Sequence, residues 1–310
     1  MSSIFSNLRR DENEAWVADY GAFTLHSALQ PIFSQDHNGV LTLQAFEGLI
    51  RPMRNGEFVR PGEFFPSVAK ADSAMIDSLC RSLHIFNTGA LNRRRAKLFL
   101  NFQPGVFVTN ADIRREVEHI KLATMESGMS PDRVVCEITQ KENDSQDMLS
   151  RFVQELRYHG FRIAIDEYGA EERDIARLNL LKPDYVKFEA DWVKEFLENS
   201  AGSALLRVMV NQFREQGILA IFEGLEDIRQ VDICNNLDVP LLQGYALARP
   251  ELAPTHFNAD FPETGELPRE DIRPKVDLER YDPSLHMPKP TPLAYTAAPK
   301  RTATFGKRTH

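Results

Sequence analysis

Seven short apolar runs each carry polar groups that apolar runs normally exclude. Glu47 interrupts QAFEG, Asn101 LFLNF, Glu137 VVCEIT, Asp166 and Glu167 IAIDEYG, Lys187 YVKF, Glu223 LAIFEG, and Gln243 LLQGY. A charge in such a run is costly to desolvate unless a cation or hydrogen bonds compensate it. The donors are carboxylate and amide oxygens, without histidine or thiolate, and that set favours a hard cation, Mg²⁺ or Mn²⁺, over zinc. Taken singly, each residue has a structural use. Asp166 could cap a helix, Asn101 could serve a turn, Glu137 could pair with Lys187, and Gln243 could satisfy loop backbone. Their recurrence at the ends of successive runs is what points to a shared site. None of the eight histidines forms an HxxxH pair, and none is assigned to it.

The elements that must position these groups alternate. Strands are expected over Leu29–Phe33, Leu43–Arg51, Lys97–Phe102, Val134–Thr139, Arg162–Tyr168, Tyr185–Phe188, Leu219–Glu223 and Leu241–Ala246. Helical periodicity marks Met75–Asn92, Asp112–Glu126, Ser145–His159, Ala201–Gln216 and Glu226–Leu237, with Phe152, Val153 and Leu156 as one apolar face and Leu205, Val208, Val210 and Phe213 as another. Strand alternating with helix eight times predicts an α/β chain folded as a (β/α)8 TIM-like barrel, whose site forms at the C-terminal strand ends. No GxGxxG follows the first strand, which weighs against a dinucleotide-binding doubly wound sheet.

The 310 residues are 42% hydrophobic and 26% charged, enough to bury a large core. A net charge of −8 argues against a DNA-binding role, so a phosphate ligand would need local cations. Cys80, Cys136 and Cys234 form no CxxC pair and suit a reducing compartment. The N-terminus has no signal-peptide core and no run is long enough to span a membrane, so a cytoplasmic protein is expected. Residues 1–22, with Trp16, Val17 and Tyr20, are read as a helical lead packed on the barrel, with no further module before it. Residues 23–255 make the barrel. Residues 256–310, with eight prolines and a basic cluster of Lys300, Arg301, Lys307 and Arg308, are read as a disordered tail able to meet a protein partner.

The ordered motifs resemble EAL domains, the bacterial cyclic di-GMP phosphodiesterases, from Phe23 to Pro250. They run Gln30-Pro31-Ile32-Phe33, Glu47-Gly48-Leu49-Ile50-Arg51, Pro61-Gly62-Glu63-Phe64-Phe65-Pro66, Asn101-Phe102, Glu137-Ile138-Thr139, Asp166-Glu167-Tyr168-Gly169, Lys187, Glu223-Gly224-Leu225-Glu226 and Gln243-Gly244-Tyr245. The resemblance implies an EAL-type barrel with one antiparallel strand, able to cut cyclic di-GMP to linear pGpG. It implies Glu47, Asn101, Glu137 and Asp166 as ligands of a first Mg²⁺ or Mn²⁺. A second ion would share Asp166, with help from Glu167 and Glu223. Glu47, Lys187 and Glu223 would carry the chemistry, Lys187 by orienting the attacking water. Arg51, Gln30, Gln243 and Glu226 would hold the substrate. Two cations ~3.5–4 Å apart stabilise both attacking and leaving oxygens of an in-line displacement. Pairing of two copies beside the fifth strand is a further expectation of the family.

Four departures qualify that expectation. Gly48 stands where the family has alanine or valine, a mild change since no ligand is lost. Glu167 replaces an aspartate, the charged run Glu171-Glu172-Arg173-Asp174 replaces a small flexible loop, and Gln140 replaces an anchoring glutamate. The first metal site reads as intact and the second as compromised. An enzyme, a catalytically silent cyclic di-GMP receptor and a protein-interaction scaffold are the three readings that remain.

Overall fold

A computed structural model describes residues 5–103, 105, 107, 109–139 and 145–263. In chain order the strands are β1 (Leu8–Arg10), β2 (Trp16–Tyr20), β3 (Phe23–Gln35), β4 (Leu41–Arg54), β5 (Glu57–Phe58), β6 (Lys97–Phe102), β7 (Val134–Ile138), β8 (Arg162–Tyr168), β9 (Tyr185–Phe188), β10 (Leu219–Phe222), β11 (Leu241–Leu242) and β12 (Glu251–Leu252). The helices are α1 (Pro61–Ser67), α2 (Ser73–Ala90), α3 (Asn110–Glu126), α4 (Gln146–Tyr158), α5 (Glu172–Leu181), α6 (Ala190–Leu197), α7 (Ser200–Glu215), α8 (Ile228–Asn236) and α9 (Phe257–Asp260).

The apolar runs become central strands because both of their faces are covered; all five residues of β7 are buried. Pairing runs β3-β11-β10-β9-β8-β7-β6-β4 and returns to β3, closing an eight-stranded barrel. Neighbours are parallel except around β3, which runs antiparallel to both β4 and β11. Inside, each strand contributes one side chain to a packed layer: Ile32, Ala45, Phe99, Val135, Ala164, Tyr185, Ile221 and Leu241. The barrel is therefore a core rather than a pore, and chemistry is confined to its rim. Outside, helices bury their apolar stripes against the strands, as α4 does with Leu149, Phe152, Val153 and Leu156.

Two expectations about the flanks change. The lead is not helical: Trp16–Tyr20 pairs with β3 through Val17↔His26 to Tyr20↔Phe23 and pairs with β1 on its other side. Gly21, at φ +58, makes the two-residue turn that joins β2 to β3, and Val17 and Ala18 are fully buried. The hairpin glycine decides for a strand over the expected helix.

The chain also stays packed past residue 255. Phe257 packs tilted against Phe46, Phe261 meets Phe33 edge to face, and Arg93 donates through Nη1 to the Phe261 carbonyl at 2.9 Å. Glu263 accepts from the backbone N–H groups of Arg94 (2.8 Å), Arg95 (2.8 Å) and Ala96 (3.3 Å). Those residues lead into β6, so this segment covers the N-terminal ends of the strands. The rest of the tail, with its basic cluster, lies outside the described residues, as does Gln140.

Candidate active site and metal centre

The barrel places its polar exceptions at one rim. Glu47 sits midway along β4, opposite Gln30 of β3 and Phe99 of β6. Asn101 and Glu137 are paired neighbours on β6 and β7. Asp166 lies near the end of β8, Lys187 in β9, Glu223 just after β10 and Gln243 just after β11. Gln243 is held by its backbone N–H to the Phe222 carbonyl at 2.9 Å.

Lys187 is the hub. Its Nζ lies 3.0 Å from Glu137 Oε1, 3.0 Å from Glu223 Oε2, 3.1 Å from Glu47 Oε2 and 3.9 Å from Asp166 Oδ1. Gln243 Nε2 donates to Glu47 Oε2 at 2.7 Å, Asn101 Nδ2 to Glu47 Oε1 at 3.4 Å, and Thr139 Oγ1 to Asp166 Oδ2 at 3.3 Å. Four formal negative charges against one positive leave three uncompensated.

Burial sharpens that imbalance. Glu137 is fully buried and Lys187 only 2% exposed. Burial opposes the Lys187 charge, but the surrounding carboxylates outweigh it and hold the ammonium well above its ordinary pKa. Burial raises Glu137 far above the usual carboxylate range, and repulsion from Glu47 and Asp166 adds to it. Glu223 is raised in the same sense, again mainly by burial. Glu47 goes the other way: burial works to raise it, but Lys187 and the hydrogen bond from Gln243 bring it below its ordinary value. The 3.0 Å approach of Lys187 to Glu137 lacks hydrogen-bond geometry, so neither buried Glu137 oxygen has a donor among the described residues.

Among the described residues, no three histidine, cysteine or carboxylate side chains close on one point as a finished metal cage; the acids surround an ammonium instead. The donor chemistry nonetheless fits a hard divalent cation. All the donors are oxygens, the cluster is under-neutralised, and Glu137 offers two buried oxygens with no hydrogen-bond donor among the described residues.

The remaining expected residues fall around this ring. Arg51, with Phe65, Arg81, His84, Asn101 and Thr139, lines a cavity of about 250 Å³. Gln30, Glu226 and Gln243 line a second hollow of about 310 Å³ that Glu47 and Glu223 also border. Glu226 is exposed and accepts from Lys194 Nζ at 2.9 Å. Among the described residues, no hydrogen bond or ion pair joins Glu167 to the ring. The β8–β9 register shifts between Ile165 and Tyr168, Glu167 takes a left-handed backbone at φ +53, and its side chain is exposed.

The charged run after β8 is not a loose loop. Glu171 caps α5 and Asp174, 1% exposed, accepts from the N–H groups of Gly169 (3.0 Å) and Glu171 (3.2 Å). Arg177 pairs with Asp174 and donates through Nη2 to the carbonyls of Ile138 (2.7 Å) and Asp166 (3.3 Å). These charges thus bind the ends of β7 and β8 together. Gly48 is also less neutral than expected. A Cβ there would lie 2.6 Å from the Cγ of His84, whose Nδ1 is 2.7 Å from Ser27 Oγ. The missing side chain is space that His84 uses. Sequence reasoning passed over His84 and Arg81; the available signal was a histidine and an Asp77/Arg81 pair among the apolar residues of α2.

Residues 20–250 match the family model of the EAL domain. The chain belongs to the EAL domain family. Relatives include the probable cyclic di-GMP phosphodiesterase PdeA of Escherichia coli strain K12, 25% identical over 240 residues, covering 75% of this chain and 31% of PdeA. The probable cyclic di-GMP phosphodiesterase PdeG of the same organism is 27% identical over 214 residues, covering 67% of this chain and 42% of PdeG. This chain therefore spans less than half the length of either. Among solved structures, the manganese/cyclic di-GMP complex of Klebsiella pneumoniae BlrP1 matches with a TM-score of 0.64 at 24% identity, over 74% of this chain and 56% of that one. An EAL domain protein of Listeria monocytogenes matches at 0.61 and 19% identity, over 76% and 92%. These likenesses establish the EAL fold. In this EAL domain the signature tripeptide is Glu47-Gly48-Leu49, with His84 packed where the usual side chain would stand.

Proposed function

We propose that this EAL domain hydrolyses cyclic di-GMP to linear pGpG, with Mg²⁺ or Mn²⁺ held by Glu47, Asn101, Glu137 and Asp166. The observation that carries the reading is the ring of four carboxylates around one buried ammonium, whose uncompensated charge calls for a further cation. Bound there, the cation would supply Lewis-acid stabilisation of charge on the phosphoryl oxygens. Lys187 restrains Glu47, Glu137 and Glu223 at one point, and Gln243 fixes the Glu47 carboxylate. Arg51 offers a guanidinium to a phosphate from one hollow, while Gln30, Gln243 and Glu226 offer polar contacts from the other. The names of the relatives support the same substrate.

The test is chromatographic separation of cyclic di-GMP from pGpG after incubation with purified protein and Mn²⁺. Glu47→Ala should remove turnover while leaving a folded protein. One observation favours a second reading, a silent cyclic di-GMP receptor: Glu167, which the second ion would use, is exposed on a left-handed backbone and makes no hydrogen bond or ion pair to the ring among the described residues. Micromolar binding by calorimetry without any pGpG would select the receptor. Absence of both binding and turnover would leave neither reading standing.

A further inference from the structure

Arg81 is a buried cation outside the carboxylate ring. It lies in the middle of α2, among Leu79, Cys80 and Leu83, with 3% of its surface exposed. A guanidinium so buried is retained at a cost unless its partners satisfy it. Its Nε donates to Glu116 Oε1 of α3 at 2.7 Å, and its Nη1 to Asp77 of its own helix. The same Nη1 reaches the backbone carbonyl of Asn101 at 3.3 Å, and the guanidinium carbon stands 4.2 Å from the centre of the Phe102 ring. One planar fork thus ties two helices to the last two residues of β6.

That end of β6 matters because Asn101 is poorly held from the site side. Its side chain is exposed, and its one hydrogen-bond partner there among the described residues is Glu47 Oε1 at 3.4 Å. An asparagine has two side-chain torsions, so where its amide can reach is set by the backbone that carries it. The carbonyl on that backbone is the atom Arg81 grips. We propose that Arg81 is the positioning residue that orients the Asn101 amide towards the cation site, through the Asn101 carbonyl and the face of Phe102. The inference rests on the cation reading above and deepens it, since Arg81 itself touches neither cation nor substrate. Outer groups that aim a ligand are worth roughly 10–100-fold in metal affinity.

The test is direct Mn²⁺ binding, followed by the electron paramagnetic resonance signal of free Mn²⁺, alongside thermal unfolding of the same proteins. Arg81→Lys keeps the charge between Asp77 and Glu116, but a single ammonium cannot span both acids and the carbonyl. The triple variant Asp77→Leu, Arg81→Met, Glu116→Leu removes the buried charges together, a replacement proteins often tolerate. Both variants should fold and bind Mn²⁺ about tenfold more weakly. Glu263→Ala, which weakens the opposite end of the barrel, should bind Mn²⁺ as the wild type does. Wild-type affinity in folded Arg81 variants would overturn the proposal while leaving the site reading intact. A wild type that fails to bind Mn²⁺ would sink the site reading and this inference with it. Loss of folding in both Arg81 variants would reduce Arg81 to a core ion pair and also overturn it.

Discussion

Placing alanine at Gly48 should damage this protein, and removing His84 should repair the damage. The Gly48 backbone is not left-handed, so an alanine is acceptable to the chain itself. The obstacle is the imidazole. An added Cβ would lie 2.6, 2.8 and 2.9 Å from the Cγ, Cβ and Cδ2 of His84, a ring 4% exposed and fixed to Ser27 at 2.7 Å. To restore ordinary contact the ring must retreat by about 1 Å, which loses the Ser27 bond at about 1 kcal/mol. Overpacking adds ~1–3 kcal/mol. Alanine in place of glycine in a strand returns about 0.5–1 kcal/mol. The net cost of Gly48→Ala is therefore about 2 kcal/mol. In a His84→Ala background the obstacle is gone, and the same change should be neutral or mildly stabilising, a coupling of ~2–3 kcal/mol. Urea unfolding followed by circular dichroism, on both single variants and the double, measures that coupling. A coupling below ~0.5 kcal/mol would mean that the two residues do not share this space, and the reasoning would fail.

Three further outcomes are expected. Burial, with Arg51 and Arg81 nearby and only Glu47 opposing, pushes the His84 pKa down to about 3. The unfolded chain takes up this proton near the ordinary histidine value and the folded chain does not, so this contribution is full above about pH 6.5 and drains as the pH falls towards 3. Between pH 6.5 and 5 the wild type should lose ~1.5 kcal/mol more than His84→Ala in urea melts, and parallel losses would refute the neutral buried imidazole. Lys187→Met strips the only ammonium from four carboxylates and should cost ~3–5 kcal/mol without divalent metal. Saturating Mg²⁺ should then raise its melting temperature more than that of the wild type; an equal response would count against a cation joining the ring. Glu263→Ala orphans the N–H groups of Arg94, Arg95 and Ala96 and should cost ~1–3 kcal/mol, with faster hydrogen exchange at those amides; unchanged exchange would mean that the carboxylate does not hold them.

What the sequence by itself determined is the scaffold and its rim. Lys97–Phe102, Arg162–Tyr168 and Tyr185–Phe188 form strands over the residues expected, because continuous apolar runs need cover on both faces and the alternation with helices supplies it. The polar exceptions Glu47, Glu137, Asp166, Lys187, Glu223 and Gln243 were legible for the same reason: each breaks a run whose burial is otherwise assured. Tertiary structure decided whatever depends on a partner far along the chain. The lead became β2 because β3 offered it an edge, and Phe257–Glu263 stayed packed because Arg93 and the amides before β6 receive it. Glu167 took a left-handed backbone at a register shift, which no residue type announces. Gly48 looked like a harmless change until His84, thirty-six positions later, filled the gap. Local periodicity reports which face of an element is buried, but only three-dimensional packing reports against what.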